Sequence, residues 1–356
     1  MQNTERAHAG TLAAAVVAAI AVLGSVARAQ APAQPLFAES APLAVTIEGP
    51  FRQLGRERQD EPELPGTLRY VEADGREVVL EIQVEPRGIS RLRHCAYPPL
   101  WLNFRKSTVG DTVFAGQDKL KLVTHCMQSS SYEDFIAREY QIYRMYNALT
   151  DRSFRVRWLT IEYVDTDDRR DPYTAPGFLI EEDWAVAERL GREAIEVESL
   201  EIAELDRAET ALVSVFHFMI GNADWSALRG PSGEPCCHNG KVLTQAGQTG
   251  DRIVVPYDFD QATFVDAEYA VHNESLGLRG NQRLYRGFCA LNDELDEAIA
   301  KVNEVRDQWL RIVDAEPVSE RGRRRGVSFI ESGYEILADP QRIERDIRGD
   351  CRGGTE

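Results

Sequence analysis

Three short segments carry residues whose types and order suit one kind of chemistry. Ile220-Gly221-Asn222-Ala223-Asp224-Trp225-Ser226 places a lone carboxylate in a loop after an apolar run. His238-Asn239-Gly240-Lys241-Val242-Leu243 sets an amide before a short apolar segment, and Val255-Pro256-Tyr257-Asp258-Phe259-Asp260 ends a strand on two carboxylates. Phosphoryl transfer requires one carboxylate to accept a hydroxyl proton, then an Asn and an Asp to hold Mg²⁺ against nucleotide phosphates. Asp224 is the candidate proton acceptor, and Asn239 and Asp258 are candidate metal ligands. Asp260 is either a further ligand or part of the turn, and Asn239-Gly240 is also an ordinary turn dipeptide. The long interval between Asp224 and Asn239 requires the intervening segment to fold aside.

Upstream, Gln117-Asp118-Lys119-Leu120-Lys121-Leu122-Val123-Thr124-His125 alternates as a strand does, and Glu139-Tyr140-Gln141-Ile142-Tyr143-Arg144-Met145-Tyr146 has helical spacing. Together with Arg87-Gly88-Ile89-Ser90-Arg91, these segments resemble the secreted spore-coat protein H (CotH) kinases and, more distantly, the HipA-type toxin kinases, from about Arg87 to about Val265. The resemblance implies a two-lobed, protein-kinase-like α+β fold. Its small lobe would be an antiparallel sheet with one helix, its larger lobe mostly helical, and its hinge near Phe178 to Asp183. The implied cofactors are ATP with Mg²⁺ or Mn²⁺, and the implied acceptor is Ser or Thr of a protein. Lys121, Glu139, Arg87 and Ser90 would bind the nucleotide, Lys121 pairing with Glu139 across the cleft and Lys119 being the competing lysine. Asp224 would be catalytic; Asn239, Asp258 and Asp260 would hold metal. The G-x-G-x-x-G loop of typical kinases is missing from the sequence. AMP transfer on the same site, or a non-catalytic secreted binding module, are the alternative functions.

These residues need elements to position them. Thr67 to Tyr70 and Val78 to Val84 flank Asp74-Gly75, a strong hairpin signal. Leu100 to Phe104, Lys119 to Val123, Phe154 to Val164 and Gly177 to Ile180 complete the expected sheet, with one helix over Tyr132 to Leu149. Ala203, Leu205, Ala208, Leu212, Val215, Phe216 and Met219 mark a helix running into the Asp224 loop, and Leu291 to Ile312 marks a later one. The expected organisation is a signal peptide over 1–29, a linker or tail with one docking strand (Leu43 to Ile47) over 30–65, and lobes over 66–180 and 181–350.

Thr11 to Val26 is uncharged and mostly apolar, follows Arg6 and precedes Ala27-Arg28-Ala29, the pattern of an export signal cleaved after Ala29. A secreted or periplasmic protein without a membrane span follows. Cleavage removes Glu5, Arg6 and Arg28, taking the net charge from −17 to −18. Such a surface repels nucleic acid and favours a basic protein substrate. Arg321-Gly322-Arg323-Arg324-Arg325 reads as a solvated turn. The six cysteines suit disulfides; Cys95 with Cys126 is the preferred bridge, while Cys236 and Cys237 are expected to pair elsewhere, with Cys289 and Cys351 as available partners. No two of His125, His217 and His238 stand four apart on one helix, so structural roles are expected of them. The lack of a G-x-S-x-G elbow removes support for a hydrolase triad.

Overall fold

The structure, a computed structural model, describes residues 34–167, 171–248, 250–270, 276, 278, 282–315 and 317–353. The expected signal peptide, 1–29, lies outside the described residues. Seven strands close on themselves: β1 (Leu43–Gly49), β2 (Leu64–Val71), β3 (Glu77–Pro86), β4 (Leu100–Phe104), β5 (Lys119–Thr124), β6 (Val156–Asp165) and β7 (Tyr173–Ile180). Their order around the barrel is β1-β2-β3-β4-β5-β7-β6. The Asp74-Gly75 turn joins β2 to β3 as its sequence indicates, with Gly75 at φ 89°, a conformation that favours glycine.

The expected two-lobed, protein-kinase-like fold with a small antiparallel sheet is overturned by this closed barrel of mixed direction. The element responsible is β1, which lies in the stretch read as linker. It runs antiparallel to β2 and parallel to β6, Leu43 to Gly49 lying beside Leu159 to Asp165, and so removes both edges of the sheet. Its alternating Val45 and Ile47 face the barrel interior with Leu68, Leu80, Ile82, Leu120 and Leu122. A seven-residue strand flanked by polar sequence signals poorly that it will close a barrel.

Only part of the barrel wall faces solvent. In β3, buried Val78, Leu80, Ile82 and Val84 alternate with exposed neighbours, the signature of a half-wet strand. In β5 every residue after Lys119 is buried, and α4 (Ser130–Leu149), preceded by the shorter helices α1 (Pro35–Ala38), α2 (Phe51–Glu57) and α3 (Ser90–His94), packs against β6 and β7. Tyr140 and Tyr143 of α4 meet Phe178 of β7, and Tyr140 also meets Trp158 of β6. Burying each such ring contributes roughly 1.5–3 kcal/mol. That contact fixes the helix carrying Glu139 to the barrel wall.

The second core combines α4 with α5 (Asp183–Arg189), α6 (Arg207–Ile220), α7 (Leu295–Glu304), α8 (Arg306–Val313), α9 (Glu320–Leu337) and a three-stranded sheet of β8 (Glu193–Ile195), β9 (Gly240–Thr244) and β10 (Ile253–Pro256). Two helix readings are corrected here. Leu291 to Ile312 is a short 3₁₀ turn and two helices meeting at Val305, and Arg321 to Arg325 is no turn but the opening of α9, capped by Ser319 Oγ accepting from Gly322 N–H at 3.1 Å. Cys95 bridges Cys126 as expected. Cys236 and Cys237, expected to pair elsewhere, bridge each other, and Cys289 pairs with Cys351.

Candidate functional site

Helix α6 ends at Gly221, whose φ of 65° provides a left-handed cap. A Cβ there would lie 2.9 Å from both Thr263 and Phe329, so glycine lets the following loop enter close to its neighbours. In that loop Asn222 Nδ2 donates to His217 Nδ1 at 3.2 Å, and Asn222 Oδ1 accepts from the Asp224 N–H at 2.9 Å. His217 is buried, stacked on Trp225 with ring centroids 4.4 Å apart, and burial lowers its pKa to about 3. It therefore acts as a neutral acceptor that orients Asn222.

The segment between Asp224 and Asn239 folds back through paired backbone at Ser226 and His238, which returns the later residues to the carboxylate. His238 Nε2 lies 2.7 Å from Asp224 Oδ1. Asn239 Nδ2 donates to Asp224 O at 2.7 Å and to Oδ2 at 3.0 Å. The hydrogen bond to Asp224 raises the His238 pKa against the effect of burial. Asn239 O also accepts from Tyr257 N–H at 3.1 Å, so the end of β10 enters the same assembly.

Beyond β10, Asp258 adopts φ 60° and donates its N–H to Tyr143 Oη at 2.9 Å. Phe259 is buried with its ring 4.8 Å from that of Tyr143, anchoring the turn between the two carboxylates. Burial, and next to it Asp260, push Asp258 up to about 6, while Arg91 and Arg87 pull the other way. A cation arriving beside Asp258 would favour its ionised form.

Arg91, from α3 (Ser90–His94), is 6 % exposed and spans two carboxylates: Nη2 bonds Glu139 Oε2, and Nε bonds Asp260 Oδ2 at 3.0 Å. Burial opposes the charge of Arg91, but Glu139 and the neighbouring acids outweigh it and raise its pKa well above the ordinary value. The Cys95–Cys126 bridge ties the residue after α3 to one two positions past β5, tethering the helix that carries Arg91 to the segment leading into α4.

The expected Lys121–Glu139 pair is not formed. Lys121, 7 % exposed, bonds Glu182 Oε1 at 2.9 Å and lies over the Trp101 ring, while Lys119 bonds Glu85 at 2.7 Å. Register explains this. Lys121 stands opposite Ile180 at the end of β7, two residues before Glu182, so a local carboxylate reaches it first. Arg91 has taken Glu139.

One cleft of about 760 Å³ is lined by Arg87, Ser90, Arg91, Glu139, Asp224, His238, Asn239, Asp258 and Asp260. The structure thus brings together every singled-out residue except Lys121, which is outside the lining among the described residues. Sequence reasoning gave Arg91 no role and expected a structural one of His238, although Arg91 lies four residues from Arg87 and His238 adjoins Asn239. No group of three or more His, Cys, Asp or Glu is arranged for a metal among the described residues. Asp258, Asp260 and the Asn239 amide oxygen, which the bonds to Asp224 leave unused, are hard oxygen donors of the kind Mg²⁺ and Mn²⁺ take, with Asp260 Oδ2 engaged by Arg91. The cysteine pairs are compatible with an oxidising compartment, and no described helix is long and apolar enough to cross a membrane. No protein-family model matches this chain, and no curated protein matches its sequence.

Proposed function

We propose that the chain is an exported phosphotransferase that moves the γ-phosphoryl group of ATP, with Mg²⁺ or Mn²⁺, to a Ser or Thr hydroxyl of a protein. The observation that carries this reading is the convergence of Asp224, Asn239, Asp258 and Asp260 on one cleft that also receives Arg87 and Arg91. Asp224, its carboxylate fixed by His238 and Asn239, orients the hydroxyl and accepts its proton. Asp258, Asp260 and Asn239 are the residues to hold the metal, which when bound would neutralise and orient the nucleotide phosphates. Arg87 and Arg91 provide the cationic side of the cleft, the part first assigned to Lys121. The acidic surface suits a basic protein acceptor, and the disulfides support secretion or periplasmic residence.

A second reading, a non-catalytic secreted module that binds nucleotide, draws support from the pairing of Lys121 with Glu182 outside the cleft lining. The deciding experiment incubates the chain beginning at Gln30 with γ-labelled and, separately, α-labelled ATP, divalent metal and a basic Ser/Thr-bearing peptide. Label from γ alone is expected. Label from α identifies AMP transfer, and nucleotide binding without either label identifies the binding module.

A further inference from the structure

We propose that a second cavity, of about 410 Å³ and lined by Arg138, Arg283, Arg321, Arg324 and Arg325, binds a phosphoryl group. This inference does not rest on the chemistry of the cleft. Five guanidinium groups and a single carboxylate, Asp266, line it, Arg324 being paired also with Glu320 outside the lining, in a chain with 41 basic and 58 acidic residues. Composition alone would surround such a cluster with acids. The sequence reads it as a solvated turn, but its opening on α9 sets Arg321, Arg324, Arg325, Ser328 and Ser332 along one helical face, and all five line the cavity.

Two of the guanidinium groups come from elsewhere and lack full counter-charge. Arg138 of α4 is 4 % exposed, yet its contacts are long: 3.4 Å to Asp134 O, 3.4 Å to Phe264 O and 4.0 Å to Asp266 Oδ2. Asp266 has the closer Arg325 at 2.7 Å. Arg283 bonds only neutral groups among its described contacts, Met219 O, Ser332 Oγ and Phe329 O, with its guanidinium 3.8 Å from the Phe329 ring centroid. An uncompensated buried cation is costly, and the most economical remedy is an anion that accepts from several guanidinium groups at once. A phosphoryl dianion offers three oxygens for that fork geometry and matches the charge excess better than a single carboxylate. Thr263 lines both this cavity and the cleft, and Arg138 precedes Glu139 on α4. An occupant therefore touches the elements that carry Glu139 and Asp260.

Inorganic phosphate and an O-phosphoserine peptide are the two probes, titrated into the chain beginning at Gln30 at constant ionic strength and followed by calorimetry and thermal midpoint. Saturable binding is expected, weakened at least tenfold in Arg324→Ala/Arg325→Ala, whose side chains are 67 % and 55 % exposed and leave folding intact by circular dichroism. Arg56→Ala, outside the lining of both cavities and 63 % exposed, should bind phosphate as the parent does. Tenfold tighter binding of the peptide assigns the phosphoryl group to a phosphorylated side chain; equal or weaker binding assigns it to free phosphate. Lack of saturable binding of either probe overturns the proposal, as does binding retained in the double variant or lost in Arg56→Ala.

Discussion

Asn239 donates both amide hydrogens to Asp224, one to its carbonyl and one to its carboxylate, across a separation of 15 residues. In Asp224→Asn the amide oxygen keeps accepting from Asn239 Nδ2 while the new NH₂ donates to Nε2 of a neutral His238, so both side-chain contacts survive loss of the charge. Asp224→Asn should therefore keep nucleotide binding and fold while removing the proton acceptor. Turnover is expected to fall by about 10²–10⁴-fold. Steady-state transfer from γ-labelled ATP measures it, and full activity in the variant moves the catalytic role away from Asp224.

Arg91 is the single cation between Glu139 and Asp260 in the described contacts, bonding each through a different nitrogen. Arg91→Ala leaves two buried carboxylates facing each other, and unfolding stability should drop by about 3–5 kcal/mol. Arg91→Lys should recover only part, because one ammonium replaces a planar fork that spans both acids. Adding Glu139→Gln to Arg91→Ala should restore stability relative to the single variant by relieving like-charge repulsion. Urea denaturation of the four proteins tests this; equal midpoints for the single and double variants would mean that Arg91 is not holding the two acids together.

The site was more legible in the sequence than the fold. Asp224, Asn239 and Asp258 stand out by residue type and order, and the chain brings all three to one cleft across the long excursion between Asp224 and Asn239. Local turn chemistry made the Asp74-Gly75 hairpin equally plain. Barrel closure was not readable, because the parallel pairing of Leu43–Gly49 with β6 spans more than a hundred residues and leaves no local periodicity. The partner of Glu139 was misassigned for a similar reason. Strand alternation places Lys121 on a face, but only tertiary register brings Glu182 to Lys121 and Arg91 to Glu139.

The Cys95–Cys126 bridge closes a loop of 31 residues that contains β4 and β5 and ends beside α3. Replacing both residues by Ser should destabilise the fold by about 3–4 kcal/mol on the chain-entropy account. It should also free the end of α3, so nucleotide affinity is expected to weaken along with stability, whereas the corresponding Cys289/Cys351 double replacement, far from α3 in sequence, should affect stability alone. Denaturation midpoints and nucleotide titrations on both variants make the comparison. Equal nucleotide affinity in the two would show that the bridge does not position Arg91.

His125 is fully buried among Tyr97, Tyr163 and Tyr173, and neither ring nitrogen has a hydrogen-bond partner among the described residues. Burial lowers its pKa from 6.5 to about 4. Below pH 6.5 the unfolded chain takes up a proton that the folded chain refuses. The neutral ring's contribution to stability is thus complete above pH 6.5 and is lost as pH falls toward 4. Between pH 7.5 and pH 4.5 this one residue should account for about 2–3 kcal/mol of lost stability. His125→Phe keeps an aromatic ring in an aromatic pocket, removes the orphaned nitrogens and cannot titrate. The variant should match or exceed the parent at pH 7.5 and should lose less stability by that amount at pH 4.5, with His217 still titrating in both. Urea unfolding at the two pH values gives the difference directly, and parallel losses in parent and variant would show that His125 does not stay neutral in the folded chain.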